Sequence, residues 1–238
     1  MASAQAQEAS GKVVMAREDP GMTPPFLRWM YKTNTYWPKV PYQNTIGVLG
    51  IDDDHPSQLD LTRFMTRYRS EAGRSTFSLV KWNGGRYNPS DPSDFASVGI
   101  QYTAYPTMLA FYSVGGDTEW APNGDPIAGD MYLEWFNNLL QDPFLPQTVC
   151  VIYGEAEQGL PEAYAKELCE LFAELGARGV SVLVASGIDG VGAGDCINAE
   201  GNVKFIPEFP SSCTCGVLLP RNQKMVHTAT MVFRSLCH

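Results

Sequence analysis

The sequence predicts an α/β fold on a mostly parallel sheet with helices on both faces, and three observations predict it. Short uninterrupted apolar runs, Ile46 to Ile51 first among them, read as strands buried on both faces. Between them lie stretches in which large apolar residues recur every three or four positions, the spacing of a helix with one buried stripe. The two patterns alternate along the chain, as strand–helix–strand units with right-handed crossovers require.

Taken in order, residues 1–22 are rich in Ala, Gln, Ser and Glu and lack apolar periodicity, which predicts a flexible leader. After the strand at Ile46, Pro56-Ser57 announces a helix carried by Leu59, Leu61, Phe64, Met65 and Tyr68 and stopped at Gly73. Ser75 to Trp82 is a second strand, Asn83-Gly84-Gly85 a turn, and Asn88 to Pro92 a loop with two prolines. A short helix is expected over Phe95 to Ala104, weakened by Gly99 and by the following Tyr105-Pro106. Gly115 to Gly129 reads as irregular, Met131 to Leu140 as a helix and Thr148 to Tyr153 as a strand. Tyr164, Leu168, Leu171, Phe172 and Leu175 form a helical stripe ending at Gly176, and Gly179-Val180 opens a strand. Residues 214–238 show a short apolar run and no period, which reads as an appended tail, and no internal repeat is visible.

Composition excludes several functions. With 26 acidic against 17 basic residues and a net charge of -9, the chain repels a nucleic-acid backbone. No run approaches the roughly 20 apolar residues that cross a bilayer. Met1 to Arg17 lacks the apolar block of a secretory signal, so the chain as written reads as cytosolic. Six cysteines are too few and too scattered for a disulfide-stapled mini-domain. Cys213-x-Cys215 has no histidine at zinc-ligand spacing, since His55, His227 and His238 lie elsewhere, so neither metal nor cofactor is expected.

The motifs are more specific. Thr23-Pro24 followed by LRWMY, IGVLGIDDDHPSQLDLTRFM from 46, QYT and AYPT between 101 and 107, and YGEAEQ from 153 occur in this order. LFAELGARGVSVLVASG from 171, GVGAGDC from 190 and FIPEFPSSC from 205 follow. Together these pieces resemble the sedolisin family of serine-carboxyl, tripeptidyl-peptidase-like enzymes over residues 23–213, leaving 214–238 as a divergent tail. The resemblance implies a subtilisin-like central sheet, a usual home that is secreted or lysosomal, and acyl transfer from a peptide bond. In that chemistry a serine attacks, a glutamate activates it, an aspartate supports the glutamate, and a protonated aspartate stabilises the oxyanion.

Carried over residue by residue, the resemblance finds no intact catalytic set. The family's E-x-x-x-D window is Phe95 to Gly99 here, so Phe95 stands at the base and Gly99 at its supporting acid. The oxyanion aspartate after Ser186-Gly187 is Ile188, and Asp189, one residue late, would point to the opposite face of an extended segment. No Gly-Thr-Ser occurs, Ile152 replaces a serine in the substrate-binding strand, and the calcium-binding segment has no counterpart. The resemblance also pairs Cys196 with Cys213. Expected from this is a C-terminally truncated, catalytically inactive homologue. The alternatives are an acidic peptidase that needs a separate serine half, or a module that binds extended peptide without cleaving it. A sheet cut before its last strands would also leave an edge open to self-association.

Other polar residues have plainer readings. Ser186 lacks a G-x-S-x-G elbow and reads as a strand-end turn serine. Asp52-Asp53-Asp54-His55 reads as loop charge before a helix. Glu155, Glu157 and Asp195 read as solvated loop acids, and Trp29, Trp37, Trp120 and Trp135 as buried or half-buried anchors.

Overall fold

The computed structural model describes residues 8–9, 12–13, 23–50, 55–89, 96–116, 130–185, 206–214 and 217–219, with backbone alone at 8–9, 12–13, 96–98 and 217–219. Residues 1–37 and 38–238 are two compact units. In the first, β1 (Glu8–Ala9) pairs antiparallel with β2 (Lys12–Val13), and α1 (Pro24–Met30) follows. Two prolines open α1, where a helix has no use for their missing N–H groups. Arg28 folds back over the end of α1, donating to the carbonyls of Thr33 and Asn34. Trp29 and Trp37 are both about half exposed, and Trp29 lies against the Phe26 ring.

In the second unit the strands are β3 (Thr45–Gly50), β4 (Phe77–Trp82), β5 (Met108–Val114), β6 (Thr148–Val151), β8 (Ser181–Ala185) and β10 (Val217–Leu219). The helices are α2 (Gln58–Tyr68), α3 (Ala96–Ala104), α4 (Met131–Gln141) and α5 (Glu162–Ala177). A separate antiparallel ribbon joins β7 (Glu155–Ala156) to β9 (Glu208–Phe209). The main sheet is parallel throughout, in the order β10-β8-β6-β3-β5-β4.

β5 and β10 go beyond the reading of the sequence, which left 107–114 unassigned and took everything after Cys213 as tail. β5 is the most paired strand, aligned with β3 from Thr45↔Met108 to Gly50↔Ser113 and with β4 from Phe77↔Leu109 to Trp82↔Val114. Gly50 is required by this packing, because a Cβ there would overlap the buried Phe111 ring. The turn after β4 places Asn83 and Gly84 at positive φ, a conformation that asparagine and glycine tolerate best.

Side chains sort cleanly between the two faces. Val48, Leu109, Phe111 and Cys150 point to the side where Leu61 and Met65 of α2 and Ile100 and Tyr102 of α3 pack. Leu49, Ala110, Tyr112, Val149, Val151, Val182 and Val184 point to the other, beneath α4 and α5. This sorting sets the hand of each connection. β3–α2–β4 runs toward the β4 edge over the first face, while β5–α4–β6 and β6–α5–β8 run the opposite way over the second, so these three share one hand. β4–α3–β5 runs back from the edge over the first face and therefore has the opposite hand. Since parallel crossovers are right-handed in about 98% of cases, α3 lies in a left-handed one, a correction to the uniform right-handed winding expected.

The helices close as local chemistry dictates. Ser57 caps α2 by accepting from Asp60 N at 3.2 Å, and Asp130 caps α4 by accepting from Leu133 N at 2.9 Å. Leu59, expected on the buried stripe of α2, is 57% exposed; Leu61 and Met65, one turn apart, do the burying. α5 runs past Gly176 to Ala177 and is ended by Gly179 at positive φ, with Val180 N donating to Leu175 O. Between α2 and α3, buried Arg69 pairs with Glu71 at 3.0 Å, donates to Tyr102 O, and lies over the Tyr105 ring.

Candidate functional site

In a parallel sheet the helices run back against the strands, so the carboxyl ends of the strands and the first turns of the helices share one edge, where α/β folds bind ligands. That edge here gathers Gly99 from α3, Asp130 from α4, and Ile152 to Glu155 from the exit of β6. Of the residues singled out from the sequence, Gly99, Ile152, Cys213, His55, Glu155, Glu157, Trp29, Trp37 and Trp135 are described; Phe95, Ile188, Asp189, Cys196, Ser186, Asp195 and Trp120 lie outside the described residues. So do 51–54, 90–95, 117–129 and 186–205, which connect elements at this edge.

Gly99 is exposed, and a Cβ built on it meets nothing within 4 Å. Glycine inside a helix costs backbone entropy, so Gly99→Ala is expected to stabilise the protein by about 0.5–1 kcal/mol, read as a raised midpoint in thermal or urea unfolding.

Beyond β6 the backbone continues through Ile152, Tyr153 and Gly154 into β7. Ile152 packs with Val48 and Phe111 beneath the sheet. Tyr132 OH of α4 donates to Tyr153 O at 3.1 Å, and Gly154 presses against Phe209 O and the Glu208 carboxyl so closely that no side chain would fit.

Next to this segment lies a polar cluster that reading the sequence did not find. Asp130, 6% exposed, caps α4 and accepts from Tyr164 OH of α5 at 3.2 Å. Its sequence signal was present: an Asp directly before the stripe of Met131 to Leu140 is an N-cap. Glu155, read as a solvated loop acid, is half-buried beside it. Burial raises the pKa of Asp130, offset by the N–H groups of Leu133 and Tyr132 and the Tyr164 hydroxyl; nearby Glu134 adds to the rise. Burial also raises Glu155, and the negative charge of Asp130 raises it further. The Tyr132 and Tyr164 phenols are pushed up by burial and by these carboxylates, so they stay protonated donors.

A carboxyl group raised in the folded state favours folding when it carries its proton. The contribution of Asp130 and Glu155 is therefore complete below the ordinary carboxylate range and is lost as pH climbs through their raised values. Unfolding free energy from urea titrations is expected to fall over that window, and Glu155→Gln is expected to flatten the fall. An unchanged pH profile in the variant would refute the assignment.

Cys213 is bonded to Cys169 of α5, not to Cys196, with Cα atoms 5.3 Å apart. The reason is geometric. Pairing of β7 with β9 carries the following turn onto the outer face of α5, and Ser212 N donating to Glu208 O winds that turn so that Cys213 meets the helix. Cys150 is the free cysteine among the described residues; its thiol is buried and pushed up to about 12 by that burial, which removes it as a nucleophile. His55 is buried against the edge of the Tyr87 ring. Among the described residues no three His, Cys, Asp or Glu side chains are placed to hold a metal ion.

No family model matches the chain. It is 34% identical over 204 residues to the probable tripeptidyl-peptidase SED3 of Trichophyton verrucosum, covering 81% of this chain and 34% of that protein. Tripeptidyl-peptidase SED3 of Arthroderma otae gives 34% over 205 residues with the same coverage. The solved structure of Pseudomonas sedolisin, a serine-carboxyl proteinase complexed with two molecules of pseudo-iodotyrostatin, matches with a TM-score of 0.54 at 17% identity, covering 84% of this chain and 53% of that one. The chain belongs to the sedolisin family. It spans about a third of the length of the curated relatives it matches. The likeness to Pseudomonas sedolisin fixes the fold of this sedolisin-family chain as a mostly parallel α/β sheet. Among the described residues no helix is long and apolar enough to cross a membrane.

Proposed function

We propose that this sedolisin-family chain binds extended peptide at the carboxyl edge of its sheet without hydrolysing it. The observation that carries the reading is Gly99. It stands where the family resemblance places the supporting acid, on an open helical turn, and it has no side chain with which to hold a base. The sequence puts Phe95, which cannot accept a proton, at the base itself. Catalytic groups that act as a unit fail together when any member is lost. Binding needs less: a backbone that can pair with a peptide, and the stretch from Ile152 to Gly154 is fixed by the Tyr132 hydroxyl at Tyr153 O and by the β7–β9 ribbon against Gly154.

The disulfide between Cys169 and Cys213 adds a compartment to this reading, since such bonds persist in oxidising surroundings. This reading favours an oxidising compartment over the cytosolic expectation. To test the function, a pool of internally quenched peptides is incubated with the purified chain at pH 3 to 5 beside a heat-denatured control, and anisotropy of labelled peptides is followed in parallel. Retained peptide with no fluorescence gain is the expected result. Turnover above the control would overturn the reading in favour of an acidic peptidase, and absence of both signals would refute peptide binding.

A further inference from the structure

On the side of α5 away from the sheet lies a groove of about 650 Å³, walled by the helix and by the disulfide-bonded turn after β9. Its floor is apolar, with Leu160, Phe209 and Cys169, and its rim carries Glu157, Glu162 and Glu170. Lys166, the groove's one lysine, is paired with Glu162 at 2.5 Å. Neither Glu157 nor Glu170 has a cationic partner among the described residues. The groove begins at the first turn of α5, at the same end of the sheet as the peptide edge, but the peptide-binding reading assigns no role to its acids.

The occupant that fits is in the same chain. Residues 220–238 contain Arg221, Lys224 and Arg234 and none of the 26 acidic residues, in a chain of net charge -9. Between those cations stand Met225, Val226, Met231, Val232, Phe233 and Leu236. Basic and apolar side chains are thus interleaved in one segment, matching an apolar floor with an acidic rim. The path is short as well. Thr214 lines the groove, and β10 ends at Leu219 opposite Ala185, the carboxyl end of β8. The first turn of α5, with Glu162, belongs to the same end of the sheet. Five residues beyond Leu219 span up to about 17 Å when extended.

We propose that the groove on α5 is the docking site of the chain's own residues 220–238. Apolar contact fills the floor, and opposite charge aligns the segment along the rim. Exposed pairs are screened by salt, so docking weakens as ionic strength rises.

Zero-length carbodiimide cross-linking of the 238-residue chain, read by mass spectrometry, tests this directly. The Lys166–Glu162 pair is an internal control that must link. The expected result is a link from Lys224 to Glu157, Glu162 or Glu170. A control link without any from Lys224, or links from Lys224 only to carboxylates elsewhere, would overturn the proposal. An equal mixture of ¹⁴N and ¹⁵N chains separates the sources: links of one isotope support docking within a chain, while mixed links would mean a second copy and overturn it as stated. In the E157K/E162K/E170K variant, whose changes lie on the groove rim, tryptic cleavage after Arg221, Lys224 and Arg234 is expected to speed up roughly tenfold. Unchanged cleavage with native circular dichroism would count against the groove.

Discussion

Replacing Trp135 by alanine is expected to lower the unfolding free energy by about 3–5 kcal/mol, the largest loss from any single side chain of α4. Trp135 is fully buried and touches Tyr112 of β5 and Phe136 of its own helix, with ring centroids 5.7 and 4.9 Å away. Phe136 in turn meets Phe172 of α5 at 4.7 Å, so the indole is the middle link of an aromatic chain that joins sheet, α4 and α5. Removing it empties a volume that the sheet cannot collapse to fill. Trp135→Phe is a sharper companion. The indole N–H is buried without a hydrogen-bond partner among the described residues, and phenylalanine removes that unsatisfied donor while keeping most of the ring. Chemical denaturation should therefore find W135F much closer to the parent than W135A; equal losses would show that ring contact is not what Trp135 contributes.

The second large effect concerns the bond between Cys169 and Cys213. It closes a loop with a sequence separation of 44. For a loop of that length the chain-entropy model gives a stabilisation of about 4 kcal/mol. The double variant Cys169→Ser/Cys213→Ser, or the parent under reductant, is expected to melt lower by an amount of that order. Reductant should then have no further effect on the double variant. If Cys196 were the partner instead, Cys169→Ser alone would leave the melting temperature responsive to reductant.

Much of this architecture was legible because its signals are local. Pro56-Ser57 and the Leu61–Met65 spacing announce α2 without reference to the rest of the chain, and the five-residue stripe of α5 does the same. β5 was not legible, although Pro106 and Gly115-Gly116 bracket it. A strand buried on both faces has no alternation, and a run such as MLAFYSV matches a buried helix as well as a strand. The hand of the α3 crossover was beyond local reading altogether. It depends on which face α3 occupies, which Ile100 and Tyr102 decide by packing against Phe111 and Leu61, and the general rule pointed the other way. At the site, the helix that carries Gly99 was legible from the sequence. The Cys169–Cys213 bond could not, since cysteine spacing does not determine connectivity. The partnership of Asp130 with Tyr164 spans 34 residues and exists only once α4 and α5 are docked.

The position of β5 between β3 and β4 has a bearing on how the chain is made. Strands in a sheet sit about 4.8 Å apart, so β3 and β4, which both precede β5 in the chain, stand two spacings apart and share no hydrogen bond. They frame a vacant slot. Until Val114 has been synthesised, neither has a neighbour, and a nascent chain ending before Met108 holds two unpaired strands with α2 between them. Sheet formation in this protein is therefore an act of insertion. β5 supplies the pairing partner that β3 and β4 have in common, so a chain that ends before Met108 leaves both strands without it, the kind of unpaired edge that chaperones and proteases act on.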